Sequence, residues 1–439
     1  MNPFPHEGNF TDDIKTNQRI LTAGKIRGSI SRVGRDADPY SLYSVYLINP
    51  QIVDPNSQAG SLFPFKNVPG ASLGETTYDK NLKPEFTTEY EVGTELWFFK
   101  RMIGLDLTLY KRISTNLIAP IAIPNATGFS QNYTNLGQIS NKGIEIGFSL
   151  NPLDLSNGFK WETYTTFTKN ISNIDKLLDG VTGDENEIIL QNTYAGSVQA
   201  VFRQGQPYGM IKGTTAARDE NGNFLINKNT GLLIEDPNPK LLGNPAPDFI
   251  LGFTNSFSFK GFTLSAVLGY QHGGKIYSST TSLQLGRGVT EDTKDRDHPV
   301  VVPGVYGDPN TYKPILGADG KTIPNTTQVM VNDVYFQSSS GSFATNAPDE
   351  FSVWDATTIR LREISLSYNL PKNFLTKSPF SAVNISLIGR NLFYKAVNFP
   401  PNSNFDPEIS TYGTRNASGF EFSSAPSTRR FGLSAKFTF

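Results

Sequence analysis

The chain closes on Arg429-Arg430-Phe431-Gly432-Leu433-Ser434-Ala435-Lys436-Phe437-Thr438-Phe439. Phe431, Leu433, Ala435, Phe437 and Phe439 occupy every second position, with small or polar residues between them. A period of two gives an extended strand one apolar and one polar face. Taken alone, the segment also fits a terminal strand of a β-sandwich core. The rest of the chain bears on the choice, because the same alternation recurs many times.

Working upstream, Val383, Ile385 and Leu387 alternate, as do Ile364, Leu366, Tyr368 and Leu370 before a Pro-Lys-Asn turn. Ile359 and Leu361 stand on the opposite parity, which predicts a β-bulge near Arg362-Glu363. Phe249, Leu251, Phe253 and Phe257 run into Lys260-Gly261, and Phe262, Leu264, Ala266 and Leu268 return. Further strands are predicted at Lys25 to Arg32, Phe86 to Phe99, Ile103 to Tyr110, Ile144 to Leu150 and Phe159 to Phe167. A weaker pair, Val198 to Arg203 and Tyr208 to Thr215, flanks Gly205-Gln206-Pro207.

About twelve strands result, with short turns at Lys100, Asn157, Gln206, Lys260 and Pro371 alternating with long loops. The long loops fall at about 34–85, 172–197, 216–248, 272–350 and 394–428, and residues 1–24 form a leader to a barrel unit over 25–439. The predicted fold is all-β, an antiparallel up-and-down transmembrane β-barrel segment. Hydrocarbon demands one row of apolar side chains and no unpaired backbone groups. Glu89, Glu91, Glu95, Asp106 and Glu145 are then expected on the wet side, because a charge on the lipid side near the midplane costs a few kcal/mol. Trp97, Phe98, Phe99, Phe257, Phe259 and Phe262 suit an interfacial girdle.

Composition agrees and excludes much else. The formal net charge of −1 gives no basic field for nucleic acid. Cys is absent, which removes disulfides and thiolate chemistry. Aromatics at 12%, with 39 Gly, favour twisted strands and polar turns. No apolar run reaches the length of a membrane-spanning helix, a test that does not reach transmembrane strands. Met1-Asn2-Pro3-Phe4-Pro5-His6 has neither a basic region nor an apolar core of a secretory signal. The expectation is a protein kept inside the cell or a chain that starts partway through a longer one.

Asn81-Leu82-Lys83-Pro84-Glu85, followed by Glu91 and Gly93, resembles a strand start in TonB-dependent outer-membrane receptors. Asn135-Leu136-Gly137 with Asn141-Lys142-Gly143-Ile144-Glu145 is similar to the SusC/RagA branch of Bacteroidota. So are Gly243-Asn244-Pro245-Ala246-Pro247-Asp248-Phe249, Ile359-Arg360-Leu361-Arg362-Glu363-Ile364, Gly389-Arg390-Asn391-Leu392-Phe393 and Asp406-Pro407-Glu408. They occur in the order that family would place them. The resemblance implies a 22-strand barrel with a plug, importing oligosaccharides or peptides across the Gram-negative outer membrane. It also implies a SusD-type surface lipoprotein as lid, energy from TonB–ExbB–ExbD, and contact with outer-membrane lipid. The chain shows no plug and about half the strands, so it is expected to be the C-terminal barrel portion. Phe437 and Phe439 would serve recognition by the barrel-assembly machinery, although Ser434 stands where that signal often has Gly.

Covalent and metal chemistry find little support. His6, His272 and His298 lack metal-ligand spacing. Gly269-Tyr270-Gln271-His272-Gly273-Gly274-Lys275 nearly spells a phosphate loop but continues with Ile276 and leaves a strand without starting a helix. Asp219-Glu220-Asn221-Gly222-Asn223 reads as a tight turn rather than a calcium loop. No paired carboxylates for glycoside hydrolysis stand out. No catalytic residue, metal or cofactor is expected. For substrate contact the loop candidates are Tyr277, Tyr306, Tyr312, Tyr335 and Phe336, whose faces would stack on sugars or hold peptides. The same residues can equally pack the loop on itself. The competing classes are a secreted β-rich carbohydrate-binding or glycan-degrading protein and a surface adhesin on the same barrel.

Overall fold

The computed structural model describes residues 8–9, 20–39, 43–48, 68–177, 187–192, 197–335, 347–403, 405–413 and 418–439. The dominant feature is an antiparallel sheet of eleven strands. It consists of a two-residue strand at Gly8–Asn9 and ten long strands. These are β1 (Leu21–Arg35), β2 (Glu85–Phe98), β3 (Ile103–Thr115), β4 (Gly137–Asp154) and β5 (Lys160–Leu177). They continue as β6 (Phe249–Phe259), β7 (Phe262–His272), β8 (Thr358–Asn369), β9 (Ala382–Ala396) and β10 (Arg430–Thr438). Every strand pairs with its predecessor and successor in this series, the up-and-down order expected from the sequence.

Connections alternate strictly. Residues 99–102, 155–159, 260–261 and 370–381 make short turns, and 36–84, 116–136, 178–248, 273–357 and 397–429 make long excursions. One rim of the sheet therefore carries every short turn and the other every long loop. Lys260 and Gly261 both have positive φ (46° and 87°), the pair of left-handed residues that matches a two-residue hairpin to strand twist.

The period of two sorts the faces as the sequence implied. Leu96, Leu105, Phe148, Thr165, Phe253, Leu268, Leu361 and Phe393 are successive cross-strand partners from β2 to β9. A second row runs Trp161, Phe257, Leu264, Leu366, Leu387, Leu433. Among the described residues no second layer covers these rows. Phe253, Leu268, Leu366 and Leu387 are all exposed, and Phe431 is 80% exposed. In water such a surface would be a severe liability; in a bilayer it is the required outer wall.

The opposite face is ionic. Arg27, Gly93, Thr108, Glu145 and Thr168 are partners in one row. Arg27 Nη2 donates to Asp106 at 2.7 Å, and Arg112 Nη2 meets Glu89 at 3.0 Å. Gly93 makes room for the first pair, since a Cβ there would lie 2.8 Å from Arg27 Nε. The expected bulge is present: the register shifts between Leu361 and Glu363. It turns two consecutive residues, Arg362 and Glu363, to the ionic face.

Two expectations are corrected. Val198 to Arg203 and Tyr208 to Thr215 do not join the wall. Gln199–Arg203 and Met210–Ala216 pair with each other and with Glu187–Asn192 and Glu235–Gly243 in a separate four-stranded sheet. The turn at Gln206 thus lies within the 178–248 excursion, and among the described residues the wall has ten long strands rather than about twelve. The reason is visible in burial: Ala200, Val201, Phe202 and Ile211 are fully buried, so this pair has no face left for lipid. Trp97 also departs from the girdle. It faces inward over Gly104, with Nε1 donating to Glu95, while Phe257 and Trp161 stack 5.8 Å apart on the outer face.

Candidate functional site

The long connections build a layer against the ionic face at the long-loop rim. Ile139 and Ile174, partners on the inner side of β4 and β5, join Leu136, Leu177, Ile188, Val198, Phe202, Ile211, Tyr277 and Phe420 in one apolar cluster. The separate sheet is thereby seated on the inner wall, and Tyr208 N donates to Ser172 Oγ across the junction. A second cluster, including Ile226, Leu232, Leu233, Val302, Val329 and Val334, holds the 216–335 region together.

What fastens this layer to the wall is a set of polar clasps, and each is made from segments singled out by the sequence. Asn135 Oδ1 accepts from Lys83 N at 2.9 Å, and its Nδ2 donates to the carbonyls of Lys83 and Asn116. The Asn-Leu-Lys-Pro-Glu and Asn-Leu-Gly segments are thus two halves of one joint. Gly137 completes it at φ 135°, where a Cβ would lie 2.1 Å from Lys176 O. Asn244 Oδ1 accepts from Ala246 N, and Asn244 O accepts from Lys275 N, so the Gly-Asn-Pro-Ala-Pro segment is bound to Gly273-Gly274-Lys275.

The third clasp is electrostatic. Arg360 is 5% exposed and donates to Asp406, which is 3% exposed, while its Nη1 donates to Asn391 Oδ1. Glu408 pairs with Arg362 at 2.8 Å and lies 3.4 Å from Arg360 Nε. Arg390 Nε meets Glu363 at 2.7 Å. Three segments, Ile359 to Ile364, Gly389 to Phe393 and Asp406 to Glu408, therefore interlock and pin the 397–429 connection to β8 and β9. Arg360, Arg362, Arg390 and Arg430, with Asn391 and Thr428, line an inner recess of about 460 Å³. Its chemistry suits anionic or hydroxyl-rich groups.

The aromatic candidates scatter. Tyr277 is buried against Phe420 and Phe422, and burial pushes its phenol up. Tyr306 is buried, and hydrogen bonds with Thr326 and Thr327 hold its phenol down. Tyr335 closes the short helix Val331–Tyr335, packs on the second cluster and is raised by burial. Tyr312, at φ 55°, is 41% exposed. Phe336 lies outside the described residues. The arginine recess is not among the sequence-based candidates, although Arg360 and Arg362 belong to a quoted motif. The available signal was two arginines beside an inward-facing bulge, with an Asp-Pro-Glu further on.

Glu421, fully buried, takes donors from Ser278 Oγ, Thr280 N, Thr280 Oγ1 and Ser424 N at the start of the helix Ser279–Gly286. Glu421→Gln replaces an acceptor by an amide donor facing those groups, and about 1–3 kcal/mol of loop stability is expected to be lost. Faster hydrogen exchange over Ser279–Gly286 is the readout. A second expected result concerns Asp355. Burial alone would raise its pKa, but hydrogen bonds from Thr357 and Asn398 and the Lys275 ammonium hold it at about 2. A folded value below the unfolded one stabilises above the ordinary carboxylate range and is lost as pH falls. The pairing of Lys275–Ser278 with Val353–Asp355 should therefore loosen between about pH 4 and 2, and less so in Asp355→Asn.

Residues 10–286 match the family model described as TonB dependent receptor-like, beta-barrel. The chain belongs to that family. It is similar to TonB-dependent receptor P3 of Formosa agariphila, at 25% identity over 98% of this chain and 40% of the relative. TonB-dependent receptor SusC of Bacteroides thetaiotaomicron is 24% identical over 59% of this chain and 25% of the relative. Among solved structures, the RagAB peptide transporter superposes with a TM-score of 0.63 at 15% identity, covering 98% of this chain and 42% of that one. At that identity the likeness establishes the fold. As a TonB-dependent receptor barrel, this is an outer-membrane protein, and a bilayer suits its exposed apolar rows. The chain spans about 40% of the length of the first of these relatives.

Proposed function

We propose that this chain supplies the C-terminal barrel portion of a TonB-dependent importer of oligosaccharides or peptides. The observation that carries the reading is a wall apolar outside and ionic inside, with a folded loop layer clasped to its inner face at one rim. Such a wall shapes a passage and a vestibule and needs no covalent catalysis. A SusD-like lipoprotein would cover the vestibule, and TonB–ExbB–ExbD would supply energy to the full-length protein. Phe437 and Phe439 would be read by the barrel-assembly machinery. For cargo, the inner recess lined by Arg360, Arg362, Arg390 and Arg430 and the exposed Tyr312 are the candidate contacts.

The test is uptake. Cells lacking the full-length gene, and cells complemented with it, are given labelled oligosaccharide and peptide pools. Loss of uptake of one class, restored on complementation and dependent on TonB, supports the proposal. Unchanged uptake of both classes would sink it, as would a monodisperse monomer that needs no detergent.

A further inference from the structure

On the outer face the apolar rows give way to cations near the long-loop rim. Lys111 of β3 is the direct partner of Lys142 of β4. Lys142 is opposite Ile171 of β5, two residues beyond Lys169, whose own partner is Ile144. Opposed residues begin about 5 Å apart and diagonal ones about 7–8 Å apart, so three ammonium groups on flexible stems share one patch. All three are exposed. Among the described residues none of them forms an ion pair. Arg32, held over the Phe86 ring on the same face of β1, adds a fourth positive charge nearby. Asp175 lies in the field of Lys111 and is occupied by Ser140, Gln138 and Asn173.

The height of the patch matters as much as its charge. Lys111 stands eight residues beyond Ile103, and Lys169 eight beyond Trp161, both counted from the short-turn rim. At strand rise and barrel tilt this is about 20 Å, near the top of an apolar band about 25 Å tall. Immediately below lie Leu109, Ile144 and Ile146, facing acyl chains. An occupant must therefore offer anionic groups above and hydrocarbon beneath. A soluble anion lacks the second half.

We propose that Lys111, Lys142 and Lys169 form a binding site on the outer wall for the phosphorylated headgroup of an outer-leaflet lipid. The ammonium groups reach up to the headgroup phosphates while their stems cover the apolar surface. The assembled protein in uncharged detergent is titrated with diphosphorylated lipid A, with dephosphorylated lipid A and with inorganic phosphate, and bound lipid is counted by native mass spectrometry. K111Q/K142Q/K169Q is compared with wild type and with K100Q/K260Q/K372Q, which removes the same charge at the other rim. At roughly fivefold per lysine, the first variant should bind diphosphorylated lipid A on the order of 100-fold more weakly. The control variant should match wild type, and dephosphorylated lipid A should bind wild type as weakly as the first variant binds the phosphorylated form. The proposal is overturned by equal binding in the first variant and wild type, or by an equal loss in the control. Displacement of the lipid by millimolar inorganic phosphate would likewise overturn it, marking a site for free phosphate.

Discussion

Asp406→Ala is expected to destabilise the clasp between the 397–429 connection and the wall by about 3–5 kcal/mol. Arg360 and Asp406 are both buried, so removing the carboxylate leaves a guanidinium with no solvent to take its place. Glu408 offsets part of the loss, because it already lies 3.4 Å from Arg360 Nε. Glu408→Ala should cost less, about 1–2 kcal/mol, since the Arg362–Glu408 pair is 45% and 25% exposed. The readout is limited proteolysis of residues 397–429 in the assembled protein, alongside thermal loss of its compact electrophoretic form. Arg360→Met with Asp406→Leu should recover much of the deficit, because an apolar pair needs no desolvated charge. Equal protease resistance of Asp406→Ala and wild type would show that the ion pair fastens nothing.

Leu107→Arg is expected to cost about 2–4 kcal/mol on assembly into the membrane, whereas Glu145→Arg should be close to neutral. Leu107 is midway between Ile103 at the short-turn end and Lys111 near the other, and it points with Ile146 to the lipid side. Glu145 lies one residue from Ile146 and is exposed on the ionic face, opposite Thr108 and Thr168. Both substitutions place an arginine at nearly the same height, and only its direction differs. Heat-modifiable mobility of membrane-extracted protein, with urea titration of refolding into vesicles, measures the difference. Equal penalties at the two positions would mean that the two faces see the same solvent.

The wall was largely legible in advance. Ile103, Leu105, Leu107 and Leu109 announce both a strand and its outward face, because side-chain direction along an extended backbone depends only on parity. The bulge at Arg362 was readable for the same reason: a break in parity is itself a sequence feature. Val198 to Arg203 shows how far that reasoning reaches. Its alternation is that of a strand, yet its sheet is decided by partners at Met210–Ala216 and by burial against Ile139 and Ile174. Likewise Trp97 sits at a strand end among aromatics but turns inward over Gly104.

The site was legible as pieces. Asn135 and Lys83, or Arg360 and Asp406, were each conspicuous, but nothing local says that they meet. Tyr277 and Tyr312 look alike in sequence, and one is buried while the other is open. Sequence alone determined that this chain makes two-faced strands joined by alternating short and long connections, because those properties follow from neighbours along the backbone. Tertiary structure alone decided which strands form the lipid-facing wall, which fold onto its inner surface, and which charges pair there. Those choices depend on contacts between residues far apart in the chain, and a local period carries no record of its partner.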